Sequence, residues 1–306
     1  MPLVSVIIRT LNEERYLEEL LSSIELQSKT DFGIEVVIID SGSTDRTLEI
    51  ARAFDARITH IDKSEFSFGR SLNLGCEFSK GDYLVFVSGH CVPVENTWLC
   101  SLVKPLLSNE CQYTYGRQVG RDSTKFSERQ LFEKYFPEES RVPQEGFFCN
   151  NANAAITRKA WDSYQFDEEL TGCEDMELAK RLVGDGGRVG YVSDAAVFHI
   201  HDESWQGVTR RYEREAIALQ KIMPQVHLNL LDIVNYFVQG VIKDFRAALY
   251  RKIFLNEAVG IIRFRFAQYV GSYKGNHVTR QLSQKLKNKY FYPRMTDMDI
   301  NDREEK

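Results

Sequence analysis

The stretch Val36-Val37-Ile38-Ile39-Asp40-Ser41-Gly42-Ser43-Thr44-Asp45 passes from four branched aliphatic residues to six small or polar ones. With no polar alternation, Val36–Ile39 reads as a strand buried on both faces, as in a parallel sheet covered by helices. The Ser, Gly and Asp residues that follow favour a turn. Thr47–Phe54 then puts Leu48, Ala51 and Phe54 on one helical face, with Ser43 or Thr44 available to cap that helix. Upstream, Val4–Ile8 repeats the aliphatic run and gives way to Arg9, Thr10, Asn12 and Glu13. Between the two runs, Asn12–Gln27 carries Tyr16, Leu20 and Ile24, with Leu17 and Leu21, at helical spacing. Downstream, Leu84–Val87 is a third run, led in by Lys80-Gly81-Asp82 and ending in Ser88-Gly89-His90. Strands alternating with helices predict an α/β fold with a mostly parallel sheet, and function in such sheets sits at the carboxyl ends of the strands.

The rest of the chain fits one such domain followed by a helical extension. At 306 residues, with 43% apolar and 27% charged residues, the composition is globular and excludes disorder. Runs such as Val36–Ile39 are four residues long, and no window approaches the ~20 needed to span a membrane. Met1–Ile8 lacks a basic n-region and a long apolar core, so a cytoplasmic location without a secretory leader is expected. The six cysteines include no Cys-x-x-Cys pair, which predicts free thiols and no structural zinc.

The net charge of −5 conceals a basic segment, residues 240–295 at +10, between a body at −12 and a tail at −3. An acidic body argues against generic nucleic-acid binding. Residues 105–160 are less regular, with Pro137, Pro143 and Gly146 as breaks and a helix expected over Lys125–Phe136. Another helix is expected over 173–183, closed by Gly184-Asp185-Gly186-Gly187, and a last strand over 189–198. After about residue 215 the pattern is helical. Ile233, Phe237, Val241, Leu255, Val259, Ile262, Phe266 and Val270 recur at helical spacing there, among many aromatics and basic residues. Such helices suit packing on the catalytic domain, on a second subunit, or on anionic lipid at about 1 kcal/mol per Lys or Arg near the surface.

Three strand ends carrying polar groups are the candidate site. Taken singly, each set reads as caps and turn residues; together they suggest a ligand, and an Asp there can accept from a ring N–H or a ribose hydroxyl. There is no Gly-x-Gly-x-x-Gly and no Gly-x-x-x-x-Gly-Lys-[Ser/Thr], which disfavours a dinucleotide oxidoreductase and a P-loop phosphate site.

Val4–Glu14 and Val36–Asp45, with Gly69-Arg70-Ser71-Leu72-Asn73-Leu74-Gly75, Gly81–Val87, Asn153-Ala154-Ala155-Ile156 and Gly172-Cys173-Glu174-Asp175-Met176-Glu177-Leu178 in that order, resemble a family 2 glycosyltransferase. The likeness covers about residues 2–215 and implies an inverting enzyme of the GT-A fold, a Rossmann-like α/β/α sandwich. It implies that Thr10, Glu13 and Asp40, with Ser41, line a nucleotide pocket. It also implies that Arg70 reaches the base or diphosphate and that Asp175, beside Glu174, is the general base. A carboxylate at a helix start is favoured in its ionised form.

The chain departs from the family where an Asp-x-Asp usually ends the third strand; here it reads Ser88-Gly89-His90. His90 ligates a transition metal readily and magnesium poorly. Three readings stay open. A divalent metal, Mn²⁺ or Mg²⁺, binds through His90 with help from His199, His201 or Asp202; or Arg or Lys neutralises the diphosphate; or donor binding is lost. The resemblance favours His201 near the diphosphate. Trp205 can stack on a sugar, and Arg210, Arg211 and Arg214 can bind phosphate, although rim packing and a solvated helix face explain them as well. Asn150, Asn151 and Asn153 offer amides to acceptor hydroxyls or to a turn.

The expected organisation is a GT-A catalytic domain over 1–215 and a basic, amphipathic helical extension over 216–306. The expected activity is transfer of a sugar from a nucleotide-diphosphate sugar to a hydroxyl of a bacterial surface glycan, lipid-linked or not. Homo-oligomerisation and peripheral contact with the cytoplasmic face of the inner membrane go with it. The alternatives are a non-catalytic scaffold for glycan assembly and a sugar nucleotidyltransferase, though the latter needs a Gly-rich basic opening loop and Arg9–Glu14 has no Gly.

Overall fold

The computed structural model describes residues 1–27 and 31–277. The chain divides into two compact units, Met1–Asp202 and Glu203 onward.

The first unit is built on an eight-stranded sheet of order β3-β2-β1-β4-β7-β6-β8-β5. β1 (Leu3–Thr10) lies at the centre of its parallel half, flanked by β2 (Gly33–Asp40) and β4 (Tyr83–Ser88), with β3 (Arg57–His60) outside β2. In the other half β7 (Asn153–Thr157) runs antiparallel to β4 and to β6 (Tyr113–Val119). There β8 (Val189–His199) is parallel to β6 and antiparallel to the short β5 (Cys91–Pro93). The predicted mostly parallel sheet thus holds in the first half and becomes mixed in the second.

Alternation along β1 feeds two cores. Val4, Val6 and Ile8 meet α1 (Leu17–Glu25), α2 (Thr47–Ala53) and α4 (Trp98–Leu107) through Leu17, Leu20, Leu21, Ile50, Ala51, Leu99 and Leu102. Ile7 faces the other way, with Val37, Ile39 and Phe86, toward α3 (Phe68–Phe78), α6 (Arg158–Tyr164) and α7 (Glu174–Gly184) through Leu72, Cys76, Trp161, Leu178 and Leu182. Each fully buried aliphatic or aromatic side chain contributes roughly 1.5–3 kcal/mol. The helix expected over Lys125–Phe136 is α5 (Phe126–Tyr135). None of the six cysteines forms a disulfide among the described residues.

Two local expectations change. Ser43 and Thr44 do not cap α2, whose N-cap is Arg46 without a side-chain bond, because both are drawn into the loop after β2. The run Leu84–Val87 is the fourth strand in sequence, since the short, polar β3 precedes it.

The second unit contains α8 (Trp205–Ile222), α9 (Leu230–Tyr250) and α10 (Phe254–Asn276). The expected boundary at 215/216 falls inside α8, a continuous helix; the division between units lies after Asp202. Gly271 and Gly275 let α10 close on α8: a Cβ would stand 2.3 Å from the Thr209 carbonyl oxygen and 2.2 Å from that of Glu213. Arg265 is buried and binds Asp244 through Nε (2.7 Å) and Nη2 (2.8 Å), while its Nη1 donates to Gln268. Leu231, Val234, Leu249, Leu255, Val259 and Phe266 remain exposed. The basic segment is described only as far as 277; Arg280, Lys285, Lys287, Lys289 and Arg294 lie outside the described residues. Among the described residues no helix is long and apolar enough to cross a membrane.

Candidate functional site

The register of the parallel half aligns its strand ends: Thr10 pairs with Asp40, Arg9 with Ser88, and Asp40 with His60. Asp40 is buried. Its Oδ1 accepts from Thr10 Oγ1 (3.1 Å) and Ser43 Oγ (2.5 Å), and its Oδ2 from the N–H groups of Gly42 (2.9 Å) and Ser43 (3.0 Å). Ser41 Oγ donates to the Thr10 carbonyl at 3.1 Å. Gly42 holds φ +95°, open to glycine at little cost. The neighbouring loop is laced to this one. Asn12 donates its N–H to Ser43 Oγ (2.9 Å) and accepts from the Thr44 N–H at Oδ1 (2.8 Å), and the Glu13 N–H reaches Thr47 Oγ1 (2.8 Å). Thr10, Asp40 and Ser41 therefore form one wall whose polar atoms bond largely to each other.

At the end of β4 the chain needs Gly89. A Cβ there would stand 2.8 Å from Glu13 Cγ and 3.3 Å from the Arg9 carbonyl oxygen. This close approach sets His90 Nδ1 3.1 Å from Glu13 Oε1. Two further histidines come from the end of β8, His199, and the segment after it, His201. His199 pairs with Cys91 across the sheet, and the Ile200 N–H donates to the His90 carbonyl. The ring centroids of His90 lie 5.3 Å from His199 and 5.8 Å from His201, and those of His199 and His201 are 4.0 Å apart. One ring nitrogen of each lies within 4.8 Å of the others. His199 Nδ1 meets Gln118 Oε1 at 2.7 Å, and His201 Nδ1 meets Glu128 Oε1 at 2.8 Å. Asp202, the other expected helper, pairs instead with Arg15, and both side chains are exposed.

Asp175 and Glu174 open α7 and are 7% and 4% exposed. Burial, and then the charge of Glu174, push the Asp175 carboxyl up from 3.8 to about 7, against the pull of two backbone donors and of Arg9. Those donors are the N–H groups of Asn151 to Oδ2 (2.8 Å) and Met176 to Oδ1 (2.7 Å). Glu174 Oε1 lies 3.6 Å from Arg9 Nη1 on β1.

The imidazoles and Asp175 are linked through one dipeptide. Gln118, which holds His199, donates its Nε2 to Asn150 Oδ1 at 2.9 Å, and the next residue, Asn151, holds Asp175. Asn151 Oδ1 accepts from Tyr113, and its buried Nδ2 has no hydrogen-bond partner among the described residues. Asn153 is structural: it accepts from Trp98 Nε1 and donates to the Ala195 carbonyl.

Arg70 lies at the exposed start of α3, paired with Glu65 at 3.3 Å. Trp205, Arg210 and Arg211 belong to α8 of the second unit, where Arg211 pairs with Glu203 (3.2 Å) and lies over the Tyr212 ring. Sequence reading missed Gln118, Glu128 and the pairing of Arg9 with Glu174. The two acceptors lie 81 and 73 residues from the histidines they hold. The one local signal for Glu128 was its place in the first turn of a helix, where an acidic residue needs no partner to be explained.

A parallel half-sheet with polar strand ends, joined to a mixed half that carries a buried acid at a helix start, fits a glycosyltransferase of the GT-A fold. The chain belongs to glycosyl transferase family 2, whose family model matches residues 5–164. It is 35% identical over 222 residues to the glycosyltransferase AglE of Haloferax volcanii, covering 62% of this chain and 72% of that one. It is 24% identical over 226 residues to the O-antigen chain rhamnosyltransferase RfbN of Salmonella typhimurium, covering 68% and 70%. The mannosyltransferase PcManGT of Pyrobaculum calidifontis, solved with GDP-Man and Mn²⁺, superposes with a TM-score of 0.61 at 17% identity, over 96% of this chain and 88% of that one. That likeness shows the fold.

Proposed function

We propose that the first unit is an inverting glycosyltransferase that moves a sugar from a nucleotide-diphosphate sugar to a hydroxyl of a bacterial surface glycan. The observation that carries this reading is Asp175: a buried carboxyl at a helix start, held by two backbone N–H groups and raised to about 7. A base works best when its pKa lies near the working pH. In the reaction, an Asp175 oxygen takes the proton of the acceptor hydroxyl as that hydroxyl oxygen bonds to the anomeric carbon. The bond from the anomeric carbon to the diphosphate oxygen breaks, and the nucleoside diphosphate leaves with the electron pair. Glu174 acts through Asp175 by keeping its proton affinity high, and Asn151 Nδ2 offers a donor for a substrate hydroxyl.

The wall of Thr10, Asp40 and Ser41 shapes the nucleotide side, with Glu13 and Ser88 at its edge and Arg70 at its rim. His90, His199 and His201 fit a divalent ion, and the chemistry such an ion supplies is positive charge against the charge developing on the diphosphate. The PcManGT complex with GDP-Man and Mn²⁺ supports placing donor and ion together, and the O-antigen role in the name of RfbN supports the acceptor class. The exposed apolar residues of α9 and α10, with the basic residues around them, support a peripheral contact with anionic lipid.

The test is a screen of nucleotide sugars for binding and hydrolysis by the purified chain. One donor bound and slowly hydrolysed is the expected result, and failure to bind any of them would remove the reading.

A further inference from the structure

We propose that His90, His199 and His201 form a three-imidazole site that selects a divalent first-row transition metal and rejects Mg²⁺. The proposal rests on the glycosyltransferase reading for its purpose, and on side-chain geometry for its existence.

The first argument is the tautomer. Gln118 donates through Nε2 to Asn150, so its Oε1 is the acceptor that faces His199, and Nδ1 of His199 carries the proton. Glu13 and Glu128 present carboxylate oxygens to Nδ1 of His90 and His201, at 3.1 and 2.8 Å, which puts protons on those nitrogens too. In all three rings the lone pair then belongs to Nε2. An acceptor behind each ring is the arrangement that fixes and strengthens metal-ligating histidines. Glu128 and His199 are buried, and so are fixed by packing as well as by hydrogen bonds.

The second argument is convergence. One ring nitrogen of each of the three histidines lies within 4.8 Å of the others, around a space that one cation can share. The 4.8 Å limit exceeds the ~3.3 Å that separates two ligands on one ion with bonds of about 2.0–2.1 Å, so occupancy requires the rings to draw inward.

The third argument is ligand chemistry. Mg²⁺ demands oxygen ligands and keeps its waters, whereas imidazole suits Mn²⁺ through Zn²⁺. The residues that line this site offer it nitrogen where a carboxylate would have offered oxygen.

The experiment uses the full chain, stripped with chelator and titrated by calorimetry with Mg²⁺, Mn²⁺, Co²⁺ and Ni²⁺, with no nucleotide sugar present. One equivalent should bind with affinity rising in the order Mn²⁺, Co²⁺, Ni²⁺, and Mg²⁺ at least about 100-fold weaker than Co²⁺. Bound Co²⁺ should show visible ligand-field absorption. His199→Ala should abolish tight Co²⁺ binding, and His90→Ala, at a more exposed ring, gives the same test with less risk to folding. Glu128→Gln should weaken Co²⁺ binding by about 10–100-fold through loss of its hold on His201.

Mg²⁺ binding within tenfold of Co²⁺, or unchanged Co²⁺ binding in both histidine variants, would overturn the proposal. Donor hydrolysis is followed on the same preparation. Hydrolysis without stoichiometric metal binding sinks this inference and leaves the transferase reading standing; tight metal binding with no donor accepted does the reverse.

Discussion

The two halves of the strand-end rim use their polar groups differently. In the parallel half Asp40 accepts four hydrogen bonds, all from its own loop or from Thr10, and the wall is complete as folded. In the mixed half, and at the end of β4 where the two halves meet, each chemical group is gripped from behind: the three histidines by Glu13, Gln118 and Glu128, and Asp175 by two backbone amides. The first half supplies shape and the second supplies groups that can exchange protons or share lone pairs. Reactive groups need rigid support from one direction and latitude in another.

Substituting Asp175, the proposed base, should break this contrast most strongly. Asp175→Asn should keep donor binding and lose transfer by about 10²–10⁴-fold, measured as transfer to acceptor alongside donor titration. Near-normal turnover would remove Asp175 from the mechanism.

A pH profile sharpens the same point. Below about 7 the raised Asp175 carboxyl is protonated and cannot accept a proton, so kcat/KM should fall roughly tenfold per unit there. Stability runs the opposite way. The folded chain holds this proton more tightly than the unfolded chain, whose Asp titrates at about 3.9. The resulting contribution is complete below that value and is lost as pH rises through about 7. Melting curves of wild type and Asp175→Asn should run parallel below about pH 4 and separate between there and about 7, where only wild type loses this contribution as pH rises.

On the other half, Asp40→Ala should act on the fold. It leaves the Gly42 and Ser43 N–H groups and the Thr10 hydroxyl without their acceptor, at a cost of about 2–3 kcal/mol, read by denaturant titration. A stability loss below about 0.5 kcal/mol would show that the wall is not self-supporting.

The smallest effect belongs to Arg70→Ala. Its pair with Glu65 is solvent-exposed on both sides, so stability should change by less than about 0.5 kcal/mol. Any loss of donor affinity then reports contact with the nucleotide.

The parallel half was the legible half. Val4–Ile8 and Val37–Ile39 are buried on both faces, and a run of that kind announces itself without any knowledge of its partners. β3 escaped notice because Arg57-Ile58-Thr59-His60 is a short, partly exposed edge strand with a single neighbour. Ser43 and Thr44 looked like caps because local chemistry allows it, but Asp40 and Asn12 compete for the same groups and win. For the site, the candidates at strand ends were visible as residue types, whereas Gln118 and Glu128 become meaningful only once folding brings them behind rings far away in the chain. The helical unit was legible in its periodicity. The Arg265–Asp244 pairing was not, because its two residues sit on different helices, 21 positions apart along the chain.

Asn150 and Asn151 carry a consequence of their own. One amide side chain holds the Gln118 that steadies His199, and the very next N–H holds Asp175. His199 and Asp175 are thereby tied by hydrogen bonds to adjacent residues of a single loop, so a disturbance there shifts both together.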